Sequence, residues 1–378
     1  MIAALVMLVL AAKSPVAWTD RQAWPHPIAT PAEFDLASRA ETLVFVQALA
    51  LAGDDLADSL GVKHPDLAAT ARWRSARQAI LVESFRRASE GCVERTPVSL
   101  SPAGPKPPGA TALGERRVGE RAWPLCPTVV PSSWTELTAF SAQALEALPP
   151  PYAQWLVEAR AFHRLYVREL LRLAMLSRRT SSEIAAMAEG EELGESFTDR
   201  SFLLTFDDGP TGRGGETDAV LRLMRDHQQH ATFFTVGAAV HARRSIEGLY
   251  EGQCLASHGM THDSLVTSPA AAGALAAWNS ELPSLRWFRP PYGQRTAAQV
   301  EELRRSGIRV MLWNIDSQDW QAPADSTLVA GRVLTLMLLW RHGVVLFHDV
   351  HPAAREALPG IFGALRGDGV RWIDCRTL

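Results

Sequence analysis

The sequence predicts an α/β fold, an irregular (β/α) barrel of about seven strands preceded by a mainly α-helical region. Three observations predict it. Strand-like runs recur through the C-terminal half: Phe202–Phe206, Gln253–Ser257, Trp287–Phe288, Val310–Trp313 and Val344–Phe347. Helix-length stretches lie between them, at Thr217–Gln228, Arg295–Ser306 and Asp325–Arg341; such alternation is the pattern of a parallel β/α architecture. Each run also leads into a polar cluster: Asp207-Asp208, His258 with His262, Arg289 with Tyr292, Asp316 with Asp319-Trp320, and His348-Asp349. In parallel barrels the reacting groups sit at the C-terminal strand ends, so the chain reads as an enzyme.

From the N-terminus, Ile2 to Ala12 is an unbroken apolar run. It is shorter than the roughly 20 residues a bilayer span requires but suits a secretory signal core. Ala11, Ala12 and Ala17 offer small residues for cleavage; no basic residue precedes the run, and Lys13 follows it. Residues 1–17 are therefore expected to be a signal peptide and the protein to be exported to the periplasm or cell envelope, without a stable membrane span. Residues 18–190 read as helical. Thr30 to Glu33 forms a capping box with Pro at the first helical position. A second helix is expected from Pro65 to just before Gly91. Ser133 and Glu136 open a third, which ends at Pro149-Pro150-Pro151. A long fourth helix carries Trp155, Phe162, Tyr166, Leu170 and Leu173 at near-helical spacing, the mark of a core face. Residues 96–132, rich in Pro, Gly and Ser, read as a loop. The acidic stretch 191–200 reads as a linker to the barrel, residues 201–378. The helical half is expected to pack as its own unit and to govern where the enzyme works.

Composition excludes some classes. Apolar residues at 47% and charged ones at 21% argue against global disorder. A net charge of −3 gives no reason to expect a nucleic-acid partner. Of the four cysteines, Cys92 and Cys126 flank the Pro/Gly-rich segment and can close it by a bridge. Cys254 and Cys375 are expected to be buried apolar fillers. The absence of a CxxC spacing excludes a cysteine-rich metal site.

The clusters carry chemistry in combination. Asp207-Asp208-Gly209-Pro210 alone is ordinary turn chemistry. His258 and His262 at i and i+4 share a face if their segment is helical, and so can chelate one ion. Two His and one Asp leave a fourth coordination position open, as in catalytic zinc sites. A second carboxylate beside the metal-binding one can act as base for hydrolysis. An Arg near it would hold it charged. His348 can supply an acid, and an Asp beside it would fix its tautomer and raise its pKa.

These motifs are similar to those of a known family. From about Ser201 to Leu378 the chain resembles the polysaccharide deacetylase family, the nodulation-type chitooligosaccharide deacetylase domain of carbohydrate esterase family four. The resemblance rests on Thr205-Phe-Asp-Asp-Gly-Pro210, Ser257-His-Gly-Met-Thr-His262, Arg289-Pro-Pro-Tyr-Gly293, Asp316-Ser-Gln-Asp-Trp320 and Val344-Val-Leu-Phe-His-Asp349, in that order. It implies that Asp208, His258 and His262 bind one divalent metal ion, zinc, and that Asp207 is the base, oriented by Arg289. It implies that Asp316 tunes His348 as general acid, that the Tyr292 amide donates to the oxyanion, and that Trp320 and Leu346 line the acetyl-methyl pocket. Gly259 stands where the family usually has Ser or Thr, a departure that alters loop packing and removes no ligand. The expected activity is removal of N-acetyl groups from amino-sugar glycans, peptidoglycan or chitin-like. Hydrolysis of non-carbohydrate cyclic amides and a non-catalytic wall-binding module are the alternatives.

Overall fold

The computed structural model describes residues 24–26, 28–52, 59–92, 124–176, 189–268, 286–321 and 325–378. The expected signal segment and most of the Pro/Gly-rich stretch lie outside these residues. α1 (Pro31–Leu51) starts at Thr30, whose hydroxyl accepts from the Glu33 amide while the Glu33 carboxylate accepts from the Thr30 amide. α2 (Leu67–Ser89) is capped by Asp66. α3 (Trp134–Glu146) is capped by Ser133, although Glu136 reaches back to Ser132 rather than to Ser133. α4 (Ala153–Met175) buries Trp155, Phe162, Tyr166 and Leu170 along one stripe, as their spacing implies.

The remainder is the barrel. Its elements are β1 (Glu191–Glu192), β2 (Ser201–Asp207), α5 (Glu216–Asp226), β3 (Thr232–Thr235), α6 (Gly237–Arg243), β4 (Cys254–Ser257) and β5 (Trp287–Phe288). Then come α7 (Ala297–Arg305), β6 (Arg309–Met311), β7 (Ile315–Asp316), α8 (Ser326–Trp340), β8 (Gly343–His348), α9 (Pro352–Ala364) and β9 (Arg371–Trp372). Every pairing is parallel, in the order β1-β6-β5-β4-β3-β2-β8-β7, with β9 against the start of β2. β6 lies near one end of this path and β7 at the other, yet only Leu312, Trp313 and Asn314 separate them. At about 3.5 Å per residue that link reaches about 14 Å at most. The sheet must therefore curl so that its two ends approach, and this link rather than strand pairing spans them among the described residues.

Strand period sets what faces the site. Along β2, Leu203 joins the inner apolar cluster while Phe202, Leu204 and Phe206 join the outer one. Along β8, Val344 and Leu346 are inner, Val345 and Phe347 outer. With side chains alternating faces, Asp207 and His348 close the inner rows, and they are Cα partners across the β2–β8 ladder. The whole of β2 is buried, as expected for a strand covered on both faces.

Three expectations need correction. The linker expected over 191–200 begins as strand β1, paired to β6; Leu193 lies in the inner cluster, and Glu191 accepts from Arg295 Nη2 at 2.7 Å. The helical half is not packed as its own unit. One buried apolar cluster runs from α1 and α4 through α8 into β2 and β8. Phe34 meets Phe202 with ring centroids 6.5 Å apart, and Phe45 meets Trp340 at 5.7 Å. α1, buried around most of its circumference, needs partners on all sides. Arg341, in left-handed conformation at the end of α8, donates to Asp35 at 2.7 Å, to Ser38 at 3.0 Å, and to Asp199. Finally, Cys254 and Cys375 are not apolar fillers. They form a disulfide tying β4 to the C-terminal turn, and Cys92 and Cys126 form another. Spacing alone could not show that a chain end 121 residues on returns to β4.

Candidate active site and metal centre

The polar clusters converge at the C-terminal ends of β2, β4, β5 and β8. Asp207 is buried, and Arg289 holds it: Nη1 donates to Asp207 Oδ1 at 2.7 Å and to Thr205 Oγ1 at 2.9 Å. The guanidinium is fixed in turn by the carbonyls of Met311 (3.1 Å) and Leu312 (2.9 Å) and lies 4.0 Å from the centroid of the Phe234 ring. Burial raises the Asp207 pKa, opposed by the charge and hydrogen bond of Arg289.

Beside it, Asp208, His258 and His262 bring one ligand atom each within 4.8 Å of one another. His258 Nδ1–H donates to the Arg289 carbonyl at 2.8 Å, which fixes the tautomer and leaves Nε2 with its lone pair. Burial holds this imidazole neutral, with a pKa pushed down to about 3. Asp208 Oδ1 lies 3.5 Å from His258 Nε2 and 3.1 Å from His262 Nε2, buried and, among the described residues, without a hydrogen-bond donor. Acceptor atoms facing one another around an unsatisfied carboxylate oxygen fit a cation. The segment carrying the two His is a loop rather than a helical turn. Gly259 at φ +84° and His262 at φ +26° bend it so that the rings converge, 5.0 Å apart. The left-handed backbone at Gly259 explains why a residue with a Cβ would be strained there.

Across the ladder, His348 Nδ1–H donates to Asp319 Oδ1 at 2.8 Å, and its amide donates to Asp319 Oδ2 at 2.9 Å. Ser317 Oγ also donates to Asp319 Oδ1, at 2.9 Å. Burial disfavours the imidazolium, but the charge and hydrogen bond of Asp319, with the charges of Asp207 and Asp208, outweigh it. The pKa is pushed up to about 10.

A family model for polysaccharide deacetylases matches residues 194–311. Over 190 residues the chain is 34% identical to a peptidoglycan-N-acetylglucosamine deacetylase of Bacillus cereus, covering 44% of this chain and 66% of that one. Over 183 residues it is 30% identical to a chitooligosaccharide deacetylase of Bradyrhizobium, covering 46% of this chain and 81% of that one. The chain belongs to the polysaccharide deacetylase family. A peptidoglycan-N-acetylglucosamine deacetylase of Listeria monocytogenes is 27% identical over 196 residues, with 50% of this chain and 40% of that one covered. The match thus spans just under two thirds of the first of these relatives and well under half of the last. Among solved structures, a family 4 carbohydrate esterase from Streptomyces lividans in complex with acetate aligns at 26% identity and a TM-score of 0.41, over 46% of this chain and 93% of that one.

Within the polysaccharide deacetylase motifs, one assignment changes. The expected partner of His348 was Asp316, but the imidazole is held by Asp319. Asp316 closes β7, and its Oδ1 accepts from the Gln318 amide at 2.8 Å. It thereby folds the turn that delivers Asp319, as Asp side chains do two residues before a turn amide. The sequence offered both acids in one motif, and only the turn geometry separates them. Tyr292 has left-handed backbone (φ +59°) and its ring lies 4.7 Å from that of His262. Tyr292 and Trp320 are 56% and 48% exposed, whereas Leu346 is buried in the inner cluster. Asp208, His262, Tyr292 and Gln318 are all non-glycine residues at positive φ, the kind of strain that gathers at functional sites.

Asp319→Asn is expected to remove the carboxylate that raises the His348 pKa. If His348 must be protonated to work, activity is lost as pH rises through that pKa. The alkaline limb of the pH–kcat profile should therefore move to lower pH in the variant. A limb that stays in place removes Asp319 from this role.

Proposed function

We propose that this protein is a metal-dependent hydrolase removing N-acetyl groups from amino-sugar polymers or oligosaccharides, with peptidoglycan or chitin-like N-acetylglucosamine as substrate, in the cell envelope. The observation that carries the reading is the facing pair of Asp207 held by Arg289 and His348 held by Asp319, flanking the Asp208–His258–His262 cluster. Asp208, His258 and His262 are the residues that would hold the ion. Two imidazoles and one carboxylate with an open position suit zinc. A divalent cation there supplies Lewis acidity, polarising a carbonyl and acidifying water.

The chain's own groups then divide the proton transfers. Asp207 takes a proton from water as the water oxygen adds to the acetyl carbonyl carbon. Arg289 keeps its carboxylate oriented. The Tyr292 amide donates to the carbonyl oxygen as negative charge builds there. His348 gives its proton to the amide nitrogen as the C–N bond breaks, so that acetate and a free amine leave. Trp320 and Leu346 line the acetyl-methyl pocket. The exposed faces of Tyr292 and Trp320 offer apolar surfaces on which the C–H faces of a sugar ring pack. Two disulfides suit an oxidising compartment and so support export.

The test is acetate and free-amine release from chitooligosaccharides and from peptidoglycan, with a cyclic amide as control substrate. Acetate from either glycan and none from the cyclic amide is expected; cyclic-amide opening without acetate release would overturn the reading. His262→Ala should bring bound metal well below one ion per chain, read by elemental analysis of purified protein. A variant that keeps a full equivalent removes His262 from the metal site.

A further inference from the structure

A buried polar network lies one layer behind the catalytic cluster and joins the two halves of the chain. Glu169 sits on α4, outside the residues that the family model matches, and its side chain is buried. Its Oε1 accepts from Gln318 Nε2 at 2.5 Å and from Arg332 Nη2, on α8, at 3.3 Å. Arg332 Nε donates onward to the Asp316 carbonyl at 2.8 Å. Both ends of the turn Asp316-Ser317-Gln318 are thus tied to one carboxylate, Gln318 directly and Asp316 through Arg332.

That turn needs an external hold. Gln318 is at φ +54°, and a non-glycine residue keeps such a conformation only where its surroundings over-determine it. The residues on either side of Gln318 carry the catalytic contacts: Ser317 Oγ donates to Asp319 Oδ1, and Asp319 grips His348 through both carboxylate oxygens. A carboxylate in the helix–barrel interface is costly to bury unless it is paired. A well-packed apolar pair there would stabilise the interface at least as well. The reach of Glu169 to this turn assigns it a task besides cohesion.

We infer that Glu169 is a positioning residue: from the helical region it locks the Asp316–Gln318 turn and so sets where Asp319 holds the His348 imidazole. The inference rests on the deacetylase reading above, in which His348 is the acid. It gives the helical region a part in the reaction through geometry rather than through substrate contact.

The experiment compares the full-length wild type with Glu169→Ala, Glu169→Gln, Gln318→Ala and the Glu169→Ala/Gln318→Ala double variant on a short chitooligosaccharide. Glu169→Ala and Gln318→Ala should each lower kcat by about tenfold to a hundredfold, the scale of a misplacement near 1 Å, with KM and bound metal unchanged. Glu169→Gln keeps an acceptor for the Gln318 amide and should retain most of the wild-type kcat. The double variant should be no slower than the slower single one, because both changes cut the same link. Glu169→Ala leaves Arg332 without this carboxylate; should that variant not fold, Gln318→Ala, which preserves the Glu169–Arg332 pair, decides alone. A Gln318→Ala enzyme with wild-type kcat, or one that loses metal or KM instead, overturns the inference while leaving the deacetylase reading intact. A wild type releasing no acetate from any glycan sinks that reading, and the inference with it.

Discussion

Asp207→Asn is expected to lower kcat by about 10²–10⁴, the usual contribution of a positioned acid or base, with metal retained. His348→Ala is expected to fall in the same range. Asn keeps the shape of Asp207, so the hydrogen bond to Arg289 can persist while the proton acceptor is gone. His348→Ala removes the donor and leaves Asp319 still held by Ser317 Oγ. Neither residue belongs to the Asp208–His258–His262 set, which is why metal content should not follow activity down. Steady-state kinetics with parallel metal analysis checks both. A variant with most of its kcat takes that residue out of the reaction.

A chain beginning at Glu191, without the helical region, is expected to be insoluble or to melt without a cooperative transition. The cut would uncover the apolar face of α8 and the outer row of β2, including Trp340 and Phe202, whose ring partners Phe45, Tyr166 and Phe34 lie upstream. Each large apolar side chain returned to water costs about 1.5–3 kcal/mol, and a domain has only about 5–15 kcal/mol in all. Arg332 would lose Glu169, and Arg341 would lose Asp35 while keeping Asp199. Solubility, thermal melting and metal content of the truncated chain are the measurements. A soluble, metal-binding barrel with a sharp melt would show that the two halves are independent after all.

What the sequence could and could not convey follows from the range of each interaction. Strand runs and helix stretches are local signals, and β2, β4, β5, β8 and α7 fall where hydrophobic pattern and caps placed them. The polar clusters were legible because a strand period carries Asp207 and His348 to the same inner face, and adjacent strands bring them together. Failures began where a turn or a distant segment decides. Asp316 and Asp319 differ only in how one turn folds, and that turn is held by Glu169, far upstream. The acidic stretch near Glu191 reads as linker until the Arg295 guanidinium arrives to pair with it. Cys254 finds Cys375 only after the whole barrel has formed. The apolar stripe of α4 did announce a core face, but not that this core would continue into the barrel.

The central claim is that one cation at Asp208, His258 and His262 serves hydrolysis carried out by Asp207 and His348. It is tested most directly by titrating zinc into chelator-stripped full-length protein while measuring acetate released from a chitooligosaccharide. The account predicts no release from stripped protein, recovery that saturates at one equivalent per chain, and no recovery in His262→Ala under the same additions. Full acetate release from protein shown to be metal-free would contradict it.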